Sequence, residues 1–509
     1  MLPNIAYTKR LPYSLAFLSG ALLVACQPPV SLFFLAYIAL IPLFFALEKG
    51  RHRQNFLTGF VAGMVCYAGL VYWVIVAMNT YGGISVPLSL FTLLLLALYL
   101  SLFTGCFTWG ISFLDTRFNI PLYLTAPPLW ILLEYLRGIL LSGFPWSFLA
   151  HSQYNFLPIV QIVSITGTYF LSFLIVAVNC LIYYVLSKRR FPFAYGTLVV
   201  GVLAACLIFG VTRLKDPIPA TMSTSIVQGN IRQDLKFDEA HRNGTIRTYC
   251  SLTFHRSRGS DLVVWPETAM PFIFLNDGAS SVVRALPAAL SNHLLVGTIS
   301  RDERGRYYNT AYILGSQGEI SGSYSKKHLV PFGEFTPLTS YFPFLEKISV
   351  AAGDFFPGPS HSPIKTKVGK IGILICYEGV FPYITNETVR NGAEVLVNIT
   401  NDAWFGKTSA PYQHFAFYVF RAVETDRFVL RAANTGISAV IDPRGRTTAR
   451  TEIFKEEVLN GRFSLRQGET VYVTYGDYFI LFAFLLLCGL VAKGLLYHKK
   501  TGTRLDQSG

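Results

Sequence analysis

Long runs without a charged residue separate short polar segments over the first 213 positions, and one more such run lies near the end of the chain. A helix needs about 20 mainly apolar residues to cross a bilayer. Turn-forming Gly and Pro residues divide the runs, so the pattern predicts eight membrane-spanning helices. The predicted spans cover residues 11–25, 30–47, 56–77, 88–112, 120–141, 158–186, 191–212 and 475–497.

The pattern is different between residues 214 and 473. Short runs rich in β-branched residues predict strands, and continuous apolar strands are typical of sheets that are buried on both faces. Apolar positions at helical spacing predict helices over 284–291 and 414–431. The segment therefore predicts an α/β domain. Its predicted strands include residues 224–227, 262–265, 294–297, 371–375 and 395–397.

These patterns predict four parts of the chain. They are a membrane domain with transmembrane helices 1–7 over residues 1–213, an α/β domain over 214–473, transmembrane helix 8 over 474–498 and a tail over 499–509. Composition agrees with this division, because 52% of the residues are hydrophobic and only 14% are charged. In ordinary soluble domains roughly a quarter of the residues are charged. The low charged fraction and the long apolar runs therefore exclude a disordered, fibrous or purely soluble protein.

The formal net charge of +14 first suggests a nucleic acid or another anionic partner. The placement of the basic residues indicates orientation instead. Basic residues concentrate in cytoplasmic loops, so both termini are predicted in the cytoplasm and the α/β domain on the other side, the periplasm of a bacterial inner membrane. No nucleic-acid partner is expected. The basic residues on the cytoplasmic side are Lys9, Arg10, Lys49, Arg51, Arg53, Arg117, Lys188, Arg189, Arg190, Lys493, Lys499, Lys500 and Arg504.

The first span has an alternative interpretation. Lys9 and Arg10, an apolar stretch and then Leu23-Val24-Ala25-Cys26 are typical of a lipoprotein signal peptide that is cleaved before Cys26. We favour a membrane span, because another apolar run follows almost at once and the topology needs its first pass. N-terminal sequencing distinguishes the two interpretations.

Three polar residues of the α/β segment stand out by position. Glu267 follows the predicted strand 262–265, Cys376 follows the predicted strand 371–375, and Lys326 lies in a polar loop. In α/β sheets, sites commonly lie at strand ends. Each residue also has an ordinary structural explanation, since a Cys after a strand commonly packs in the core and a Glu there commonly caps.

The three residue types suffice for acyl transfer through a thioester. A cysteine is a good nucleophile only as a thiolate, so it needs a base such as Glu267. The ammonium group of Lys326 can stabilise the oxyanion of a tetrahedral intermediate. This chemistry needs no cofactor and no metal. His328 and His414 have no third ligand at a useful spacing, so we reject a metal site.

The local sequences resemble those of the nitrilase superfamily, which uses a Glu–Lys–Cys triad on an αββα sandwich. Together with the predicted spans, the resemblance narrows to the apolipoprotein N-acyltransferase family and covers essentially the whole chain. The motifs that carry the resemblance include Val264-Trp265-Pro266-Glu267, Pro331-Phe332-Gly333-Glu334, Ile375-Cys376-Tyr377-Glu378, Gly143-Phe144-Pro145-Trp146 and Asn401-Asp402-Ala403-Trp404-Phe405-Gly406.

The resemblance implies a role for each matching position. Cys376 matches the nucleophile, Glu267 the general base and Lys326 the oxyanion stabiliser. The supporting positions are Glu334, Tyr377 and Glu378, of which the last two help to shape the pocket of the nucleophile. The family often has tryptophan where this chain has Phe237, so any role that needs an indole N–H is in doubt.

The implied reaction is the last step of lipoprotein maturation. Cys376 takes an acyl chain from a phospholipid, in the implied case the sn-1 chain of phosphatidylethanolamine, and forms a thioester. The α-amine of the N-terminal diacylglyceryl-cysteine of an apolipoprotein then receives the chain. The implied partners are therefore a phospholipid donor, diacylglyceryl apolipoproteins and the bilayer.

Several further residues are candidates for substrate contact. Glu134 and Arg137 share a helix face at the end of a predicted span, where they form either a structural ion pair or a headgroup contact. Trp146 is an interfacial aromatic residue or a substrate contact. Trp404 and Phe405 are expected on a loop that lines the acyl groove, with core packing as the alternative.

Two other functions stay open at this point. One is a membrane-anchored amidase of the nitrilase type that uses water as the acceptor. The other is a transporter or receptor whose sandwich domain has no activity. Residues Arg421, Glu424, Arg427 and Arg431 have helical spacing and are expected to form a solvated charged face.

Overall fold

The computed structural model describes residues 11–335 and 355–505, with side chains as far as residue 496. The described chain divides into two compact units, which we call the helical unit and the α/β unit. The helical unit comprises the chain up to Tyr72, Leu90–Thr212 and the chain from Asp477 onward, and the α/β unit comprises Trp73–Ser89 and Arg213–Gly476.

Within the described residues, six helices are long and apolar enough to cross a membrane. The first two predicted spans correspond to shorter apolar helices, Leu11–Ala25 and Phe33–Ala46. In the second of these, a 3₁₀ segment precedes the α-helix Ile41–Ala46, which begins with Pro42 in its first turn. The six long helices are His52–Val71, Val86–Phe118, Leu122–Ser142, Thr168–Lys188, Phe193–Lys215 and Tyr478–Leu496.

Two predicted spans have different boundaries in the structure. The predicted span over 158–186 is divided at Gly167, whose φ of +73° separates Leu157–Thr166 from Thr168–Lys188. Glycine adopts this backbone conformation readily, and an average of hydropathy does not detect it. The predicted span over 56–77 ends at Val71, and the next helical turn, Trp73–Val76, belongs to the α/β unit.

Two sheets form the interior of the α/β unit. Their strands are β1 (Met222–Gln228), β2 (Leu262–Val264), β3 (Met270–Ile273), β4 (His293–Arg301), β5 (Tyr307–Leu314), β6 (Ile320–Ser325), β7 (Ile364–Thr366), β8 (Gly369–Ile375), β9 (Val395–Thr400), β10 (Val429–Ala433), β11 (Ala439–Ile441), β12 (Thr447–Arg450) and β13 (Glu457–Phe463). The first sheet has the order β13-β1-β2-β4-β5-β6, with β3 beside β4, and the second has the order β12-β11-β10-β9-β8-β7. Strands β1, β2 and β4 run parallel in the first sheet, as do β8, β9 and β10 in the second.

The two sheets pack face to face between helices. Successive side chains of a strand point to opposite faces, and β2 shows this directly. Leu262 and Val264 lie in the core between the sheets, whereas Val263 lies in a second core with residues of the outer helices Glu239–Arg256 and Ser280–Leu290. The helices Pro382–Arg390 and Ala410–Thr425 contact the second sheet. The expected αββα sandwich is therefore confirmed.

The predicted helix over 414–431 is too long. The observed helix ends at Thr425, because Asp426 adopts a left-handed conformation with φ +53°, and the chain then enters β10. The prediction of a solvated charged face is also wrong. Arg421, Glu424 and Arg431 are 0% exposed, since the helix also packs against the helices Pro382–Arg390 and Val471–Tyr475, and Arg431 lies in β10.

Candidate active site

Cys376 directly follows β8, where the chain turns into the short 3₁₀ helix Cys376–Val380. Its φ is +53°, a conformation that is uncommon for a residue with a side chain and often marks a functional position. The hydroxyl of Tyr418 donates to the Cys376 carbonyl oxygen at 2.9 Å and so helps to hold this turn. A Cβ on Gly379 would lie 2.3 Å from the Tyr418 ring, so this close approach requires glycine.

The resting form of Cys376 is the thiol. Burial raises the pKa of Cys376 above its usual value, and the negative charge of Glu267 raises it further. The positive charge of Lys326 acts in the opposite direction. Since the thiolate is the nucleophile, a base has to remove the thiol proton during the attack.

Glu267 follows β2 at the end of the parallel strands and is 6% exposed. Its Oε1 accepts from the side-chain amide of Asn309 at 2.7 Å, and its Oε2 accepts from the backbone N–H of Asn401 at 2.9 Å. The two donors fix the orientation of the carboxylate. A carboxylate held in this way can accept the proton of a neighbouring thiol.

Lys326 follows β6 and is 1% exposed. Its Nζ lies 2.8 Å from Glu334 Oε2 and 3.6 Å from Glu267 Oε1. Burial alone would lower the pKa of Lys326, but the two carboxylates outweigh burial and raise it. Lys326 therefore stays an ammonium group near the sulfur.

Asn309 of β5 connects the two carboxylates, because its side-chain amide also donates to Glu334 Oε1 at 3.0 Å. Glu334 Oε2 further accepts from the backbone N–H of Val330 at 2.9 Å. The sequence analysis missed Asn309. The sequence offered little signal, because the same strand also contains Thr310 and three tyrosines.

Glu378 is fully buried and joins the Lys326 loop to the strand that carries Cys376. Its Oε2 accepts from the backbone N–H of Ile375 at 2.8 Å, while its Oε1 accepts from the Tyr324 hydroxyl at 2.9 Å and from the backbone N–H of Lys327 at 2.8 Å. Burial raises the pKa of Glu378. Tyr377 packs edge-on against Phe381 at a centroid distance of 4.9 Å.

A second buried ionic cluster lies near Cys376, and sequence reasoning missed it. Asp402 Oδ2 accepts from the Arg431 guanidinium at 2.8 Å, and its Oδ1 lies 2.9 Å from His414 Nδ1. His414 Nε2 lies 3.3 Å from the Tyr418 hydroxyl, which contacts the Cys376 carbonyl oxygen. Despite burial, Arg431 and His414 hold the pKa of Asp402 well below its usual value.

The remaining sequence candidates fall into two groups. Trp404 and Phe405 pack within the α/β unit, with Trp404 against Tyr81 at 6.4 Å and Phe405 against Trp73 at 4.9 Å between ring centroids. Phe237 is 50% exposed. The other three candidates, Glu134, Arg137 and Trp146, belong to the helical unit.

Glu134 and Arg137 contact the loop that contains Trp146. Glu134 Oε1 accepts from the backbone N–H of Leu149 at 2.8 Å, and Arg137 donates to the Trp146 carbonyl oxygen at 2.7 Å. The guanidinium of Arg137 also lies 5.0 Å from the Phe148 ring centroid. Trp146 is 2% exposed. Both charged side chains therefore hold this loop.

The site combines the half-buried thiol of Cys376, a fixed carboxylate and an ammonium group with two anionic neighbours. Such a set can form and resolve an acyl-enzyme by proton transfer and oxyanion stabilisation. Within residues 11–335 and 355–505, no group of three or more His, Cys, Asp or Glu side chains has an arrangement that could hold a metal ion.

Comparisons with known proteins extend over both units. Among solved structures, the chain is similar to a carbon-nitrogen hydrolase from Helicobacter pylori G27, with 19% identity and a TM-score of 0.38 over 50% of this chain and 94% of that one. The family model of the apolipoprotein N-acyltransferase N-terminal domain matches residues 19–181, and that of carbon-nitrogen hydrolase matches residues 223–471.

Three curated relatives are each named apolipoprotein N-acyltransferase. The relative from Geobacter metallireducens is 38% identical over 98% of this chain and 98% of its own. That from Azotobacter vinelandii is 34% identical over 91% of both chains, and that from Pseudomonas putida is 32% identical over 94% of this chain and 97% of its own. Each similarity extends over nearly the full length of both proteins.

Proposed function

Since the chain belongs to the apolipoprotein N-acyltransferase family, we propose that Cys376 carries the acyl chain between a phospholipid and a lipoprotein. The protein is an acyltransferase that N-acylates lipoproteins. The proposed donor is the sn-1 chain of phosphatidylethanolamine. The proposed acceptor is the α-amine of an N-terminal diacylglyceryl-cysteine.

In the first half-reaction, Glu267 takes the thiol proton while the sulfur of Cys376 attacks the ester carbonyl. The tetrahedral oxyanion is stabilised by the Lys326 ammonium group and by backbone N–H groups after the nucleophile. The C–O bond to the glycerol then breaks, and protonated Glu267 returns the proton to the departing alkoxide. Lysophospholipid leaves, and a thioester remains on Cys376.

In the second half-reaction, the neutral α-amine of the acceptor attacks the thioester carbonyl. Glu267 accepts a proton from the attacking nitrogen, the C–S bond breaks, and the thiolate regains that proton. The products are an amide and the free thiol. The observation that carries this mechanism is the fixed cluster of Glu267, Lys326 and Glu334 near the half-buried thiol of Cys376.

We also propose roles for the remaining candidates. The aromatic rings of Trp73, Tyr81, Trp404 and Phe405 are packed together in pairs within the α/β unit, which suits an acyl chain as their ligand. Phe237 is exposed at the loop next to Lys236 and is proposed to contact substrate.

The proposed topology is an eight-helix arrangement in the bacterial inner membrane, with both termini in the cytoplasm and the α/β unit in the periplasm. The distribution of basic residues supports it. Both proposed substrates are membrane lipids or lipid-anchored chains, so a membrane-tethered enzyme encounters them at one surface.

The test uses the full-length protein in phosphatidylethanolamine vesicles with a synthetic diacylated lipopeptide. We expect mass spectrometry to detect an acyl thioester on Cys376 before the peptide is added and an N-acylated peptide afterwards. Release of free fatty acid without acylated peptide would support the amidase alternative instead. Peptide acylation with no acyl group on Cys376 at any time would contradict the proposed mechanism.

A further inference from the structure

Lys236 is a second buried lysine near Cys376, and the mechanism above does not use it. It lies on the loop between β1 and the helix Glu239–Arg256, and it is 2% exposed although the adjacent Phe237 is 50% exposed. Its Nζ donates to the main-chain carbonyl oxygen of Glu267 at 2.9 Å. The loop therefore places the ammonium group of Lys236 against Glu267, the proposed base.

The two lysines of the site differ in their partners. Lys326 contacts two carboxylates, at 2.8 Å and 3.6 Å. Within the described residues, no carboxylate lies within ion-pair distance of Lys236, and its acceptor is a neutral carbonyl. Burying an ammonium group without a counter-ion is unfavourable, so an apolar side chain of similar length would fit this position better for stability alone.

The protonation state of Lys236 therefore changes with pH near neutrality. Burial lowers its pKa to about 7, although the negative charge of Glu267 opposes this change. Lys326 and Glu334 form an ion pair and balance much of each other's charge. When Glu267 takes the Cys376 proton, negative charge moves from the Glu267 carboxylate to the sulfur and then to the oxyanion, and an ammonium group at Lys236 offsets that charge at its new position.

We propose that Lys236 is a positioning residue of acyl-enzyme formation, which holds Glu267 through its main chain and, as an ammonium group, offsets the charge that develops at Cys376. The inference rests on the proposed function. It assigns Lys236 to acyl-enzyme formation, the half-reaction in which the Cys376 thiol gives up its proton.

The test compares Lys236→Arg, which stays charged, with Lys236→Met, which is never charged. Acyl-enzyme formation is measured by mass spectrometry of the full-length protein in phosphatidylethanolamine vesicles, without acceptor, from pH about 5.5 to 9. Lys236, with a pKa of about 7, is a charged ammonium group below that pH and a neutral amine above it. The wild-type rate should therefore decline on the alkaline side, whereas the Lys236→Arg rate should not.

For Lys236→Met we expect acyl-enzyme formation at pH 6 to be about 10-fold slower, the effect of one pKa unit on the ionisation of a neighbour. The difference from wild type should shrink as the pH rises above 7. Lys455→Met, which alters an exposed lysine of the same unit, is the matched control and should leave the profile unchanged. Thermal unfolding of each variant checks folding.

Identical pH profiles in wild type and Lys236→Arg would overturn the inference, and so would equal slowing by both substitutions at every pH. If Lys236→Met does not fold, the Lys236→Arg profile still decides. If wild-type Cys376 acquires no acyl group, the proposed function fails, whereas acylation with an unshifted Lys236→Arg profile refutes only the role of Lys236.

Discussion

Glu134 and Arg137 of the helical unit and Lys326 of the α/β unit are all buried charged side chains, but their partners differ. In the helical unit, Glu134 and Arg137 each contact the main chain of one loop, at Leu149 and Trp146. In the α/β unit, the Lys326 ammonium group contacts side-chain carboxylates, and these share the amide of Asn309.

The difference separates two uses of a buried charge. A charge that faces peptide groups can fix a loop, because peptide groups do not exchange protons in this pH range. A charge that faces other ionisable side chains can shift their pKa values and exchange protons with them. Headgroup contact by Glu134 and Arg137 stays a prediction, while their observed contacts hold a loop. The following substitutions test the comparison.

The largest expected effect belongs to Cys376→Ser. A serine hydroxyl is a far weaker acid than a thiol, so the carboxylate of Glu267 cannot activate it to the same degree. We expect N-acylation of a diacylated lipopeptide to fall by about 10⁴-fold or more, as when a nucleophile of a triad is removed. The thermal unfolding temperature should change little, since the side chains have similar size.

Cys250→Ala is the matched control, because Cys250 is the other cysteine of the α/β unit and lies outside the site. It should retain wild-type activity. Equal losses in the two variants would mean that Cys376 has no special role.

Glu267→Gln is expected to have the next largest effect. The amide oxygen can still accept a hydrogen bond, so much of the local structure should persist, but the group no longer accepts a proton. We expect the N-acylation rate to fall by about 10³-fold, within the usual contribution of a general base. The measurement is kcat at saturating donor and acceptor, and a variant within a few-fold of wild type would exclude Glu267 as the base.

Sequence alone predicts Glu267, Lys326 and Cys376 as candidates because each follows a strand or lies in a loop with a distinctive local motif. Glu267 and Cys376 follow β2 and β8, whose apolar residues are evident without a structure. Lys326 was recognised from the family motif. Each of these features consists of a few consecutive residues, so it is visible in the sequence without a structure.

The supporting residues were harder to predict because their roles depend on contacts across the fold. Asn309 lies within a strand and acquires its role from Glu267 and Glu334, which are distant in sequence. The residue spacing predicts Arg431 on a solvated face of a helix. In the structure Arg431 lies in β10 and donates to Asp402. Residue spacing shows which positions share a face of a helix but not which layer covers it.

Asp402→Asn tests that buried cluster and should have an intermediate effect. The substitution removes the negative charge between Arg431 and His414 and leaves a buried guanidinium without a counter-ion. We expect a loss of about 3 kcal/mol in unfolding free energy, as when one partner of a buried pair is removed. Activity should fall about 10-fold, because Tyr418 loses support for its contact with Cys376.

The measurement is thermal unfolding together with the N-acylation rate. Tyr418→Phe removes the hydroxyl contact with Cys376 and leaves the ionic contacts of Asp402 in place. It should reproduce the activity loss with a smaller loss of stability. Unchanged activity in both variants would show that the cluster serves stability alone.

Glu134→Gln makes the same chemical change in the helical unit as Glu267→Gln makes in the α/β unit, and it should have the smallest effect. The amide oxygen can still accept from the backbone N–H of Leu149, so the loop should stay in place. We expect the N-acylation rate to stay within about threefold of wild type, in contrast to the 10³-fold loss at Glu267. Glu134→Ala removes the acceptor and should lower the unfolding temperature. A large activity loss in Glu134→Gln at an unchanged unfolding temperature would contradict the comparison, because the carboxylate charge at Glu134 would then matter for chemistry rather than for the loop.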